Sequence, residues 1–135
     1  NLENLFDLKN DKYFNDDDFL PFSRKKWTYR RYDNKLKKLG YAISNIGLKE
    51  TDKHPALIGL AEIENDTVIK DLIDSVHLKE CNYKFVHYDS LDERGIDVAL
   101  LYDSTCFQVN HSETFSVYLG FLQLHYQGDH NDCVR

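Results

Sequence analysis

The sequence predicts an α/β layered domain, and three observations predict it. Apolar residues recur at helical spacing between Tyr32 and Ile46. A short, near-continuous apolar run bounded by breakers follows at residues 56–61. Beyond a second helical stripe, residues 83–88 and 96–102 read as two more strands. Helix, strand, helix, strand, strand is the order of a chain that lays helices on a sheet.

Taken in order, the first helix carries Tyr32, Leu36, Leu39, Ile43 and Ile46 at steps of four, three, four and three, and Gly47 is its expected stop. Its other face is basic. Eight of the 17 basic residues, but one of the 23 acidic ones, fall within residues 24–38, so the rest of the chain is a strongly acidic body. The basic face has two readings, a solvated helix surface or a flank that contacts phosphate. Pro55 then opens residues 56–61, which read as a buried central strand ending in Glu62-Ile63-Glu64-Asn65. Val68, Ile69, Leu72, Ile73 and Val76 form the apolar face of a second helix, with Asn65 or Asp66 as its N-cap. Tyr83 to Tyr88 alternate as a strand, 89–95 form a polar turn, and 96–102 form a near-continuous apolar strand. Phe107 to Asn110 are expected to pair with it as a hairpin. Alternation at Phe115, Val117 and Leu119 suggests a further strand in the last stretch.

The composition limits the function classes. The 135 residues suit one domain, with a formal net charge of −6. At 41% hydrophobic and 13% aromatic, the chain is too apolar to be disordered. No apolar run is long enough to cross a bilayer, and no signal-peptide pattern opens the chain. Cys81, Cys106 and Cys133 include no C-x-x-C pair, which argues against a zinc site of the usual spacing. No two of His54, His77, His87, His111 and His125 stand three or four residues apart, the spacing of a histidine metal-ligand pair, so they read as surface or satisfied residues. Met is absent and the first residue is Asn1, which fits either a processed protein or a segment of a longer one.

Glu62 is the first candidate for chemistry. It stands at the carboxyl end of a predicted strand, where open α/β sheets bind ligands. A carboxylate there, near other acids, suits a hard divalent cation that keeps most of its waters. The alternative is a glutamate that simply leaves the strand into solvent.

Three segments in register narrow this choice. They are N-L-E-N-L-F-D at 1–7, I-G-L-A-E-I-E-N at 58–65 and H-Y-D-S-L-D-E-R-G-I-D-V-A-L-L-Y at 87–102. Together they resemble the endonuclease/exonuclease/phosphatase superfamily, in particular its bacterial endonuclease-like branch, and the W-T-Y-R-R-Y-D-N-K segment at 27–35 is similar to that branch as well. The resemblance covers roughly residues 1–110. It implies a four-layer α/β sandwich of two mixed sheets with helices outside, and hydrolysis of a phosphate ester that depends on Mg2+ or Mn2+. By the same resemblance, Glu62 matches the direct metal ligand and Glu3 an outer acidic position. Asn1 matches an asparagine that holds the phosphate and the metal-site geometry. Arg94 would meet a substrate phosphate and Asp97 would orient it, unless the two form a local salt bridge that fixes the turn. The expected partner is a phosphodiester substrate, nucleic acid first.

The departures from the pattern matter equally. No N-H-W, G-D-F-N or S-D-H motif is present, and Asp129-His130-Asn131-Asp132 has the wrong context to replace them. The expectation is therefore that residues 1–135 are the N-terminal portion of one such domain, inactive in isolation. Two other readings stay open. One is a non-catalytic module whose basic helix docks on nucleic acid or an acidic partner. The other is a phosphatase acting on lipid or sugar phosphates.

Overall fold

The computed structural model of the chain describes residues 1–115 except positions 11, 13 and 16. After a 3-10 turn at Asp17–Phe19, the elements are α1 (Tyr29–Asn45), α2 (Leu48–Thr51), β1 (Leu57–Ile63), α3 (Asp66–Ile73), β2 (Tyr83–Tyr88) and β3 (Asp97–Asp103). The α/β layering predicted from the pattern is observed, with α1 and α3 packed on one face of a three-stranded sheet.

Helix α1 forms where the apolar stripe predicts it, burying Tyr32, Leu36, Gly40 and Ile43. Gly47 adopts φ +70° just past its end, a backbone conformation that glycine enters without steric penalty. Gly40 lets α3's end approach α1, because a Cβ there would lie 2.5 Å from the Ser75 hydroxyl. Ile46 ends the stripe exposed rather than buried. Helix α3 begins at an asparagine cap. The Asn65 side chain accepts hydrogen bonds from the Thr67 and Val68 amides at 2.8 and 3.1 Å. Val68, Ile69 and Leu72 are fully buried, whereas Val76 lies past the helix end in solvent.

The strand order is β1-β3-β2, and both pairings are antiparallel. This corrects two expectations. Among the described residues the central strand is β3, and β1 lies beside it with one further parallel bridge, between Leu5 and Ile63. The run at 56–61 is apolar on both faces, so its composition could not tell a central strand from an edge. Residues 107–110 are not a strand. Both edges of β3 are already paired, and the chain turns away at Asp103, whose carbonyl accepts from the Cys106 and Phe107 amides. Of the last predicted strand, Phe115 is exposed and unpaired; the rest lies outside the described residues.

Strand parity then sorts the side chains. Leu60, Ala99, Leu101 and Tyr83 face α1 and α3 and join Leu5, Ile63, Val68 and Leu72 in the core. On the opposite face Val98 is 66% exposed, Leu57 49% and Leu100 41%.

Candidate functional site

Strand β1 breaks register as it ends. Ala61 pairs with Val98 and Ile63 with Asp97, so Glu62 is the extra residue of a bulge. Its φ of +64° turns its side chain out of the strand's alternation. Bulges re-aim side chains in this way, and a left-handed non-glycine residue persists only where its surroundings hold it.

Here the holding comes from residues 1–5. Leu2 and Leu5 are buried in the core. Their amides donate to the Ala61 and Glu62 carbonyls at 2.9 Å each, and the Leu5 carbonyl accepts from the Glu64 amide at 3.1 Å. Between these anchors Glu3 and Asn4 both take left-handed backbone, with φ of 53° and 60°. The loop so formed closes over Glu62. The Asn1 side-chain amide donates to Oε1 at 2.8 Å and the Asn4 backbone amide to Oε2 at 3.0 Å. Asn1 is itself oriented by the Glu3 amide, which donates to its Oδ1 at 2.7 Å. The Asn1 hydrogen bond, seconded by the Asn4 amide, holds the Glu62 carboxyl below the ordinary carboxylate range, and Arg94 adds to this at longer range.

The structure thus brings Asn1 and Glu62 into direct contact. Glu3 lies in the same loop, but its exposed carboxylate makes no hydrogen bond among the described residues. Arg94 sits at the tip of the turn at 89–95, where Nε and Nη2 donate to the two Asp92 carboxylate oxygens at 3.0 and 2.8 Å. That fork lowers the Asp92 carboxyl. Asp97 does not touch Arg94. One oxygen accepts from the Ser90 amide at 2.6 Å, and the other lies 3.0 Å from His87 Nε2.

His87, read from the sequence as a surface or satisfied residue, is satisfied by two carboxylates, a bridge that its sequence position did not disclose. Its side chain is 4% exposed, and its second nitrogen meets Asp66 at 2.8 Å, so one imidazole joins the start of α3 to the start of β3. Strand parity was the available signal, because Tyr83, Phe85 and His87 alternate onto the core face. His87, Asp89 and Asp97 also place one ligand atom each within 4.8 Å of one another. This is a mixed nitrogen and oxygen set, of the kind transition metals accept. A metal there would have to displace the existing His87–Asp97 pair. At Glu62 the donors are oxygens only, and each carboxylate oxygen keeps a lone pair beyond the hydrogen bond it accepts. Those residues fit a hard divalent cation.

The model of the Endonuclease/Exonuclease/phosphatase family matches residues 1–122. The chain belongs to this family. The match spans every segment just described, from the Asn1 loop to the end of β3, and the observed sheet and helices are consistent with part of an endonuclease/exonuclease/phosphatase fold. Enzymes of the endonuclease/exonuclease/phosphatase family generally hydrolyse phosphodiester bonds and generally depend on a divalent metal. No curated protein and no solved structure matches the chain. Among the described residues, no helix is long and apolar enough to cross a membrane.

Proposed function

We propose that the chain carries the metal-binding part of a divalent-metal-dependent phosphodiester hydrolase of nuclease-like type, with Glu62 as the direct ligand of Mg2+ or Mn2+. The observation that carries this reading is the Asn1–Glu62–Asn4 arrangement, a bulged carboxylate whose two oxygens are aimed by separate donors. When bound, the metal would polarise the phosphoryl oxygen and stabilise charge on the leaving oxygen.

The chain's own residues do the rest. Glu62 stays ionised well below neutral pH because Asn1 and the Asn4 amide bond its charged form. Asn1 fixes the carboxylate plane and stands where a phosphate would approach. Glu3 adds negative charge on the outer side of the loop. Arg94 keeps Nη1 for a phosphate while its other edge is tied to Asp92. Asp97 acts from beneath, fixing the start of the turn through Ser90. These residues hold and orient, but none is placed as a general base. The G-D-F-N and S-D-H motifs that supply one are not in the sequence. Residues 1–135, as the N-terminal portion of one domain, are therefore expected not to cleave DNA on their own.

Calorimetric titration with Mn2+ tests the metal assignment. The chain is expected to bind, and Glu62→Gln to weaken binding by roughly a hundredfold, at the upper end for loss of a group that supports a metal. Equal affinity in the variant, or metal-dependent cleavage of DNA by the 135-residue chain, would overturn the reading.

One observation favours a second reading, a non-catalytic docking module. Arg24 and Lys26, in the segment before α1, and Arg30 and Arg31, in its first turn, are all exposed. Salt-sensitive DNA binding that is lost on neutralising Lys25, Lys26, Arg30 and Arg31 but survives Glu62→Gln would select it. A phosphatase acting on lipid or sugar phosphates would use the same metal core, and the fold does not choose between these substrates.

A further inference from the structure

One cation of α1 behaves differently from the rest of the basic face. Lys35 follows the helix flank next to buried Leu36 and sends its ammonium into the Asn1–Leu5 loop. Nζ donates to the Glu3 carbonyl at 2.7 Å and to the Asn4 carbonyl at 3.1 Å. These are the two residues of that loop with left-handed backbone. Two successive carbonyls therefore converge on one ammonium, and the peptide units that carry them also carry the Asn4 and Leu5 amides, which donate to the Glu62 carboxylate and the Glu62 carbonyl respectively. The Glu3 amide, in the peptide unit just before them, orients Asn1.

The wall behind Lys35 is fixed. Its Nζ lies 5.4 Å from the centre of the Trp27 ring, and the Trp27 indole donates to the Phe6 carbonyl at 2.9 Å. Burial lowers the Lys35 pKa, while the charges of Glu3 and Glu62 oppose that shift. A half-buried cation of this kind is held by its acceptors. No apolar residue could replace it without leaving two carbonyls unserved.

We propose that Lys35 is a positioning residue of the Glu62 site: by holding the Glu3 and Asn4 carbonyls it fixes the loop that aims Asn1 and the Asn4 amide at the Glu62 carboxylate. The consequence for cation binding rests on the metal reading above, but the effect on loop geometry does not. A lysine that served only the basic face of α1 would be interchangeable with exposed Lys38. Lys35 is not, because its nitrogen is committed to two backbone oxygens on another segment.

The test uses the 135-residue chain with Lys35→Met, Lys35→Arg and Lys38→Met, the last removing the same charge from the same helix. NMR reads the Asn1 side-chain amide and the Asn4 and Leu5 backbone amides. Mn2+ titration reads the site, and thermal melting reads the fold. In Lys35→Met the Asn1 and Asn4 signals are expected to shift and their protection to fall. Mn2+ affinity should drop roughly tenfold, as when a group supporting a metal ligand is removed. Lys35→Arg is expected to restore most of both, and Lys38→Met to change neither. If Lys35→Met lowers the melting temperature sharply, Lys35→Gln is judged by the same signals.

Amide signals in Lys35→Met that match those of Lys38→Met would overturn the inference. Glu62→Gln separates the two readings. If it leaves Mn2+ binding intact, the metal reading falls and the amide signals alone decide the role of Lys35.

Discussion

Glu62, Asp92 and His87 show how single side chains work here. The first two have carboxyl groups lowered by hydrogen bonds, from Asn1 and from Arg94 respectively. Each titrates lower in the folded chain than in the unfolded one, whose carboxyl pKa is about 4. The stability they contribute is therefore complete above that value and is lost as pH falls through their lower folded values. An acid titration followed by NMR is expected to release the Asn1 side chain and the turn at 89–95 below about pH 4. Intact Asn1 and Arg94 signals down to pH 2 would contradict it. His87 is different, because it is buried between Asp66 and Asp97, and Asp97 is only 5% exposed in its side chain. His87→Ala leaves one buried oxygen of that carboxylate without its hydrogen-bond partner, at a cost of about 3 kcal/mol. For a chain of this length the melting temperature should fall by about 10 °C. A shift under 2 °C would show that the pair is not structural.

The elements divide by how much of their register is local. Helix α3 is local throughout. Its cap and its apolar stripe follow from residues 65–73, so Asn65→Ala should cost about 1 kcal/mol, read as a lower midpoint in urea. Helix α1 was equally legible, because a stripe of period 3.6 needs no partner to be recognised. The strands were legible as strands but not in their order. An apolar run shows that both faces are dry or adhesive, not which neighbour lies beside it. That is why residues 56–61 read as central and 107–110 as a hairpin arm. The turn at 89–95 was seen as polar, but its internal pairing of Arg94 with Asp92 depended on a fork geometry that spacing alone does not give.

At the scale of the whole molecule, the helices cover one face of the sheet and leave Leu57, Val98 and Leu100 on the other. An apolar sheet face of this kind promotes association. Sedimentation velocity of the 135-residue chain is expected to show concentration-dependent association, reduced by Val98→Lys with Leu100→Lys and without loss of melting temperature. A monomer at all concentrations would mean that this face is already covered. The sequence by itself determined the α/β layering, the presence of α1 and α3 and the family resemblance, and it nominated Glu62 and Asn1 as candidates, because helical period and motif order are local or linear properties. Only the tertiary structure decided that β3 is central, that Arg94 closes on Asp92, that His87 bridges two carboxylates and that Lys35 serves the Asn1–Glu62 loop. Each of these joins segments far apart in the chain or turns on side-chain direction, and burial, strand register and hydrogen-bond geometry exist only once the chain has closed on itself.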